Sequence, residues 1–311
     1  MLTGIRKGLT SVGVMAAVLF TGPAAMVVPT QVTAQVVAVS TAQPNNPALT
    51  AAPEVLPEPA RGAPAPSSER TPQETTAPLR WITADAVFPA APADNGAPYS
   101  GLLVAPKADG LLVYVSPGAD AVGMIPARVI DSEGSDRTWM PAIGPIDGKW
   151  LQVLLPARRN LPSSGDPVNG ATGWVLASDV LTKSSNVTVD VDLTARTITV
   201  ADGAAVLDVF PVSISGGDET ARGRSFVTGR YSTAISQNCS AQPMMALSAQ
   251  SESVDGYIDQ PTAVQAIHAF SEDCRSISGY TAATPGCIIA NEWDIPRLLE
   301  LVPDGTPVTV R

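Results

Sequence analysis

The sequence predicts a mainly β protein, and three features of its 311 residues support this fold class. Residues 99–183 contain short apolar runs separated by Gly and Pro, a pattern typical of a small β-barrel. Alternation of polar and apolar residues resumes after Ser185, as expected for strands with one buried face. The one credible helical segment follows Asn291 near the carboxyl terminus. A chain of this length can hold two domains of ordinary size.

The first 34 residues have the composition of an export signal. Arg6 and Lys7 form a short positive segment, and Gly8 to Phe20 is almost entirely apolar or small. Residues 32–34, Val-Thr-Ala, offer a small-residue cleavage pattern, and residues 21–25 offer a second one. Because the apolar run is shorter than the roughly 20 residues that span a bilayer, we expect export with removal of the signal.

Residues 35–98 are rich in Pro, Ala, Thr and Ser and show little apolar periodicity. Such a composition cannot bury a core, so the sequence predicts a disordered linker. After an export signal, this linker could hold the folded part away from a membrane, and an unselected tail is the alternative. The prolines recur too often for a helix or a sheet: Pro44, Pro47, Pro53, Pro57, Pro59, Pro64 and Pro66.

A small β-barrel is predicted over residues 99–183. Trp150 and Trp174 could stack on a ligand there, but at strand positions a place in the core is commoner. The segment from Leu154 to Trp174 resembles the bacterial SH3-like domains of cell-wall enzymes, with an inserted loop around Pro162 to Val168. The predicted strands are Gly101–Val104, Leu111–Val115, Trp150–Leu155 and Gly173–Leu176.

Residues 184–311 are predicted to form a second all-β domain that begins with a hairpin. A helix is expected from Glu292 to Leu301, with Asn291 as its N-cap and Pro303 after its end. The predicted strands are Val187–Val191, Arg196–Val200, Val209–Gly217 and Phe226–Ser232.

The charge balance excludes several classes of partner. The formal net charge is −10 and the sequence pI is near 4.6, with no basic run after the first few residues. Nucleic acid and polybasic attachment to a membrane surface are therefore excluded, because both need clustered Lys and Arg. One histidine and three cysteines, without CxxC or HExxH spacing, give no ordinary metal site. We expect a monomer without metal or cofactor.

The chemically reactive side chains concentrate in residues 267–291. His268 is the only histidine in the chain, and Cys287 is one of three cysteines. A thiol needs a base to become a nucleophile, and imidazole is the side chain that titrates near neutrality. Gly286 precedes the thiol, so backbone amides could approach a reacting carbonyl there. The sequence predicts a Cys287–His268 catalytic pair, with two ordinary buried residues as the alternative.

This stretch resembles the signature of the L,D-transpeptidases, the YkuD-like family. That signature has Ile-His, an intervening stretch, Ser/Thr-His-Gly-Cys and a later Asn, and here it reads Ile267-His268 followed by residues 284–291. Residues 301–308, Leu-Val-Pro-Asp-Gly-Thr-Pro-Val, also resemble the family's ending. Two positions depart from the family pattern: Pro285 replaces a histidine, and Ile289 replaces an arginine.

The resemblance implies an exported enzyme that cross-links peptidoglycan stem peptides through a thioester on Cys287. His268 would act as the general base, and the backbone carbonyl of Ala269 would hold its second ring nitrogen. The implied location is the cell wall or the periplasmic side of the envelope. A catalytically impaired relative that binds the wall is the alternative, and Pro285 and Ile289 favour it. A different cysteine peptidase or amidase is disfavoured, because the NlpC-type and CHAP-type enzymes place cysteine before histidine, and sortases have a much longer gap between the two.

The resemblance also implies the architecture and the supporting groups of the site. It implies a β-sandwich catalytic domain over residues 184–311 with one or two short helices. The amides of Gly286 and Cys287 would stabilise an oxyanion. Thr284 and Asn291 would help to hold the catalytic residues in place.

Export permits disulfides, and three cysteines always leave one thiol unpaired. A Cys239–Cys274 bridge would leave Cys287 free, as a nucleophile requires, whereas a Cys274–Cys287 bridge would consume it. We expect the first pairing, and three reduced thiols are the alternative.

Overall fold

The structure is a computed structural model that describes residues 79–129, 132–135, 137–146, 148–214, 219–233, 242–257, 261–269 and 286–311. All of them lie within one compact unit, Pro72–Arg311. The predicted export signal and residues 35–78 of the predicted linker lie outside the described residues. The described strands form a seven-stranded sheet and a closed eight-stranded barrel, so the prediction of a mainly β fold is confirmed.

The strands of the seven-stranded sheet are β1 Tyr99–Pro106, β2 Gly110–Tyr114, β3 Ala121–Pro126, β4 Met140–Ile143, β5 Trp150–Leu154, β6 Thr172–Leu176 and β7 Val180–Ser184. The sheet is antiparallel and has the strand order β3-β2-β6-β5-β4-β1-β7. The four predicted strands are confirmed as β1, β2, β5 and β6. The sequence did not predict β3, β4 and β7; β4 contains Pro141, and proline normally argues against a strand. Two 3-10 helices, Pro162–Ser164 and Ala177–Asp179, lie between these strands.

The two tryptophans of this sheet lie at its surface. Trp150 and Trp174 are half-buried, so the prediction of core positions is wrong for both. Tyr114 packs edge-on against Trp150, with ring centroids 4.9 Å apart. Smaller aliphatic side chains such as Val113 and Val153 fill the core beneath instead.

Residues 79–98 pack on the first sheet, so the prediction of a disordered linker is wrong for this part. Ile82 and Ala91 are buried in the sheet's core. Isolated β-bridges join Trp81 to Met124, Val87 to Arg158 and Ala93 to Ala171. The Pro- and Ala-rich composition hid these contacts, because each is made with residues distant in the sequence.

The strands of the closed barrel are β8 Val187–Asp192, β9 Thr197–Asp202, β10 Ala205–Ile214, β11 Gly223–Thr233, β12 Gln242–Gln250, β13 Val264–Ala269, β14 Ile288–Ala290 and β15 Pro307–Val310. Their order is β10-β14-β13-β12-β11-β15-β8-β9, and β9 pairs with β10 to close the barrel. The family resemblance implied a β-sandwich for this region. The predicted hairpin is confirmed as β8 and β9, and Arg196 adopts a φ of 55° in its turn.

The single α-helix of the described residues, α1 Ile295–Leu301, begins three residues later than predicted. Residues 292–294 form a turn, and Asp294 rather than Asn291 occupies the N-cap position. The Asn291 amide donates to the Asp294 carboxylate over 2.8 Å, so the prediction of an Asn291 cap is wrong. Pro296 in the first turn explains the later start, because proline suits positions whose N–H has no helical partner.

Side chains of the barrel complete the first sheet and contact its loops. Phe226 of β11 is fully buried in the core of the first sheet. At another point, Asp304 accepts hydrogen bonds from Ser132, over 2.8 Å, and from Arg230, over 3.0 Å. The sheet and the barrel therefore share both apolar and polar contacts.

Candidate active site

Two adjacent parallel strands bring His268 and Cys287 to one part of the barrel. β13 pairs with β14 so that Ile267 lies opposite Ile288, and both of these side chains belong to the barrel core. Because side chains alternate along a strand, His268 faces away from that core, as does Cys287 just before β14. The Ala266 backbone makes a hydrogen bond to the Cys287 sulfur. The thiol and the imidazole therefore lie on the same face, two residues apart along β13.

His268 is held in one tautomer. It is 6% exposed, and its Nδ1 lies 2.8 Å from the Ala269 carbonyl oxygen. A carbonyl oxygen only accepts, so Nδ1 carries the hydrogen and Nε2 keeps its lone pair. Burial lowers the pKa of His268, and the bond to Ala269 opposes this in part. The imidazole is therefore neutral at pH 7, with Nε2 available as a base.

Cys287 is a half-buried thiol that is not in a disulfide. Burial raises the pKa of Cys287, while hydrogen bonds from the Ala266 backbone and the Tyr257 side chain act in the opposite direction. Burial, and secondarily the charge of a Cys287 thiolate, raise the pKa of Tyr231. The net direction for Cys287 is upward, so the sulfur is protonated at neutral pH. Its proton must therefore leave during nucleophilic attack rather than before it.

Only glycine fits at position 286. Gly286 has a φ of 107°, and a Cβ there would lie 1.9 Å from the Gln265 amide nitrogen and 2.4 Å from the Glu219 carbonyl oxygen. Gln265 is 1% exposed and donates to that carbonyl over 2.8 Å. Its oxygen accepts from the Ala221 amide over 3.2 Å. Gln265 thus fixes residues 219–221 against the backbone that precedes the thiol.

The other predicted site residues are distributed as follows. Asn291 is bound to Asp294, as described above. Ile289, at the family's arginine position, is 5% exposed and lies opposite His268 in register. Thr284, Pro285, Cys239 and Cys274 lie outside the described residues, so the predicted disulfide stays a prediction.

Sequence reasoning missed three side chains of the site: Gln265, Tyr257 and Tyr231. Gln265 did leave a signal, since an amide side chain in the apolar run Val-Gln-Ala-Ile-His must find buried partners. The two tyrosines left none, because both lie far from Cys287 in the sequence.

The described ranges contain neither a metal-binding cluster nor a helix that could cross a membrane. No group of three or more His, Cys, Asp or Glu side chains in those ranges could hold a metal ion. No described helix combines the length and apolarity needed to cross a membrane.

Residues 186–310 match the family YkuD, described as the L,D-transpeptidase catalytic domain. The match covers the barrel and α1, so this part of the chain is similar to an L,D-transpeptidase catalytic domain. It leaves the seven-stranded sheet outside, and it spans less than half of the 311 residues. A search of curated proteins found no match to the chain.

The solved structures with some likeness to the chain include three structures of L,D-transpeptidases. One from Mycobacterium smegmatis is 13% identical, with 55% of this chain and 99% of that chain covered and a TM-score of 0.30. LdtMt1 in complex with imipenem is 14% identical, with 55% and 98% covered and a TM-score of 0.30. L,D-transpeptidase 1 of Mycobacterium tuberculosis is 16% identical, with 45% and 77% covered and a TM-score of 0.28.

Proposed function

We propose that this protein is an exported peptidoglycan L,D-transpeptidase with Cys287 as its nucleophile and His268 as its general base. One observation carries the proposal. A neutral imidazole, with Nδ1 bound to the Ala269 carbonyl, lies on the same face as a half-buried thiol that is not in a disulfide. The barrel that holds both residues matches the L,D-transpeptidase catalytic domain.

The proposed reaction is acyl transfer through a thioester. The Cys287 sulfur attacks the carbonyl carbon between the third and fourth residues of a stem peptide, while His268 Nε2 takes the thiol proton. The peptide C–N bond then breaks, and the departing D-alanine amine receives that proton. An amine of a second stem peptide attacks the thioester and passes its proton through Nε2 to the leaving sulfur. The product joins the third residue of one stem to the other stem and restores the neutral thiol.

The amides of Gly286 and Cys287 are the donors that we propose for the oxyanion. Pro285 cannot contribute, because proline has no N–H. One donor of this kind lowers a barrier by about 3 kcal/mol. We therefore expect slower acyl transfer than in a relative that has the family's histidine at this position.

A second candidate function is that of a catalytically impaired relative that binds the cell wall or acts as a scaffold. The observation in its favour is Ile289, a buried apolar side chain opposite His268 where the family has an arginine. An apolar neighbour offers neither a charge nor a hydrogen bond to a substrate carboxylate. The SH3-like resemblance of the first sheet is compatible with both candidates.

The proposed setting is the cell wall or the periplasmic side of the envelope, where stem peptides are found. We propose a monomer that needs no cofactor. Nε2 and the backbone amides supply the proton transfer and the oxyanion contacts that the reaction needs.

Incubation with a disaccharide tetrapeptide tests the proposal. The expected product is a dimer whose mass lacks one terminal D-alanine, and Cys287→Ala should not form it. A wild-type protein that forms no dimer and releases no D-alanine would favour the impaired relative. Binding of that protein to isolated peptidoglycan would then support the scaffold function.

A further inference from the structure

Arg158 lies in the part of the chain that forms the first sheet, yet its guanidinium contacts the barrel. It is 3% exposed, and its carbonyl accepts from the Phe88 amide over 2.9 Å. Nη1 donates to the Asp255 carbonyl over 2.6 Å, and Nη2 donates to the Pro261 carbonyl over 2.9 Å. One buried side chain thus binds the backbone on both sides of Tyr257. A planar guanidinium can make both bonds at once, whereas an ammonium group cannot reproduce that geometry.

The inserted loop that the sequence places after Arg158 makes a further contact to the same segment. The Ser163 amide donates to an Asp255 carboxylate oxygen over 2.9 Å. Hydrogen bonds with Ser163, and then the charge of Arg158, lower the pKa of Asp255. The carboxylate therefore stays ionised, and two different groups of the first sheet's loops hold Asp255.

Tyr257, two residues after Asp255, reaches the nucleophile. Its amide donates to the Thr262 carbonyl over 3.0 Å, which fixes its backbone. Its side chain makes a hydrogen bond to the Cys287 sulfur, and this bond favours the thiolate. A chain of contacts thus runs from Arg158 through Asp255 and Tyr257 to the thiol.

We propose that Arg158 is a positioning residue for the nucleophile, because it binds residues 255 and 261 and so keeps the Tyr257 hydroxyl on the Cys287 sulfur. The inference deepens the proposed function, since it takes Cys287 as the nucleophile. Within the described residues, the groups around the sulfur are the Tyr257 and Tyr231 side chains, the Ala266 backbone and, two residues along β13, the neutral imidazole of His268. Of these, only the Tyr257 contact depends on the segment that Arg158 binds.

The test is the pH dependence of Cys287 alkylation by iodoacetamide in the full chain. Peptide mapping by mass spectrometry separates Cys287 from the other two cysteines. Tyr257→Phe should raise the midpoint of the alkylation profile by roughly one to two pH units, the size expected for losing a hydrogen bond to a charged group. Arg158→Met, which keeps the apolar stem and removes both donors, should raise the midpoint by at least half as much as Tyr257→Phe does. The shift in the double variant should be no larger than the shift in Tyr257→Phe alone.

Arg224→Met is the matched control. Arg224 also joins barrel and sheet, through Asp94 and the Ala97 carbonyl. The Arg224→Met substitution should lower the melting temperature and leave the midpoint of Cys287 alkylation unchanged. An equal shift in this control would overturn the proposal, because general loosening would then explain the effect. A wild-type midpoint in folded Arg158→Met would also overturn the proposal. So would a double variant whose midpoint shift equals the sum of the two single shifts.

Arg158→Lys keeps the test decisive if Arg158→Met does not fold. Its ammonium group keeps the charge but cannot make both carbonyl bonds in the same geometry, so we expect it to fold with a smaller midpoint shift in the same direction. A wild-type midpoint in this variant would then reject the positioning role. Alkylation needs no stem peptide, so failure of the transpeptidase proposal and failure of this one give different results.

Discussion

The seven-stranded sheet and the barrel both bury polar side chains, but they use them differently. In the sheet, Gln152 donates to the Thr172 hydroxyl over 3.3 Å, and that hydroxyl donates to the Pro92 carbonyl. These bonds join the sheet to the segment that packs on it. In the barrel, buried Gln265 lies against the backbone that precedes Cys287, and buried His268 lies on the same face as the Cys287 thiol.

This difference indicates a division of roles. A buried polar group costs free energy unless it is paired, so each one needs a structural or chemical reason. The bonds of Gln152 and Thr172 stay within the sheet and its adjoining segment. His268 satisfies Nδ1 internally and leaves Nε2 for chemistry. We therefore assign reactivity to the barrel and support to the sheet.

The largest expected effect separates these roles directly. His268→Gln should slow acylation of Cys287 by about a hundred- to ten-thousand-fold, because it removes the general base. Gln152→Leu, a buried polar substitution in the sheet, should change that rate by less than about threefold. Stopped-flow measurement with a β-lactam acyl donor gives both rates. Similar losses in the two variants would show that the roles are not divided between barrel and sheet.

A pair of glycine substitutions compares backbone constraint in the two regions. Gly286→Ala should destabilise the fold by about 3 kcal/mol or more, because the φ is unfavourable and the new Cβ meets Gln265 and Glu219. Gly118→Ala in the sheet, with a φ of 78° and open space around it, should cost only about 1 kcal/mol. Urea unfolding measures both. Equal losses would mean that the contacts around position 286 are not rigid.

The smallest expected effect is a pH dependence of stability that originates in the barrel. Burial lowers the pKa of His268 in the folded state, so the unfolded chain binds this proton more readily. Stability should therefore fall as the pH drops below the ordinary imidazole range. Cys287 has a raised pKa, so its contribution should be lost as the pH rises through the ordinary thiol range.

Urea unfolding at several pH values, with His268→Gln and Cys287→Ser as references, separates the two contributions. His268→Gln should remove the loss on the acid side, and Cys287→Ser should remove the loss on the alkaline side. An unchanged acid limb in His268→Gln would assign that limb to carboxylates instead.

Much of the fold could be predicted because its signals are local. Alternating side chains reveal β8 and β9, and apolar runs reveal β2 and β5. The start of α1 was predicted wrongly because two acceptable caps, Asn291 and Asp294, lie three residues apart in the sequence. The packing of residues 79–98 was missed because its partners are distant in the sequence.

The same distinction applies to the candidate site. His268, Gly286 and Cys287 could be named from a motif, since their chemistry depends on residue type and spacing. Arg158 and Tyr257 could not, because no local pattern indicates that a loop beside one sheet binds a segment of the barrel. The packing of two loop segments that are distant in the sequence creates that contact, and only the folded chain reveals it.

The most direct test of the central claim is the intact mass of the protein after incubation with a carbapenem, whose strained carbonyl reacts with an activated thiol. We expect one covalent adduct on the wild-type chain, located on Cys287 by peptide mapping, and none on Cys287→Ser. No adduct on the wild type, or an equal adduct on Cys287→Ser, would contradict the assignment of Cys287 as the nucleophile.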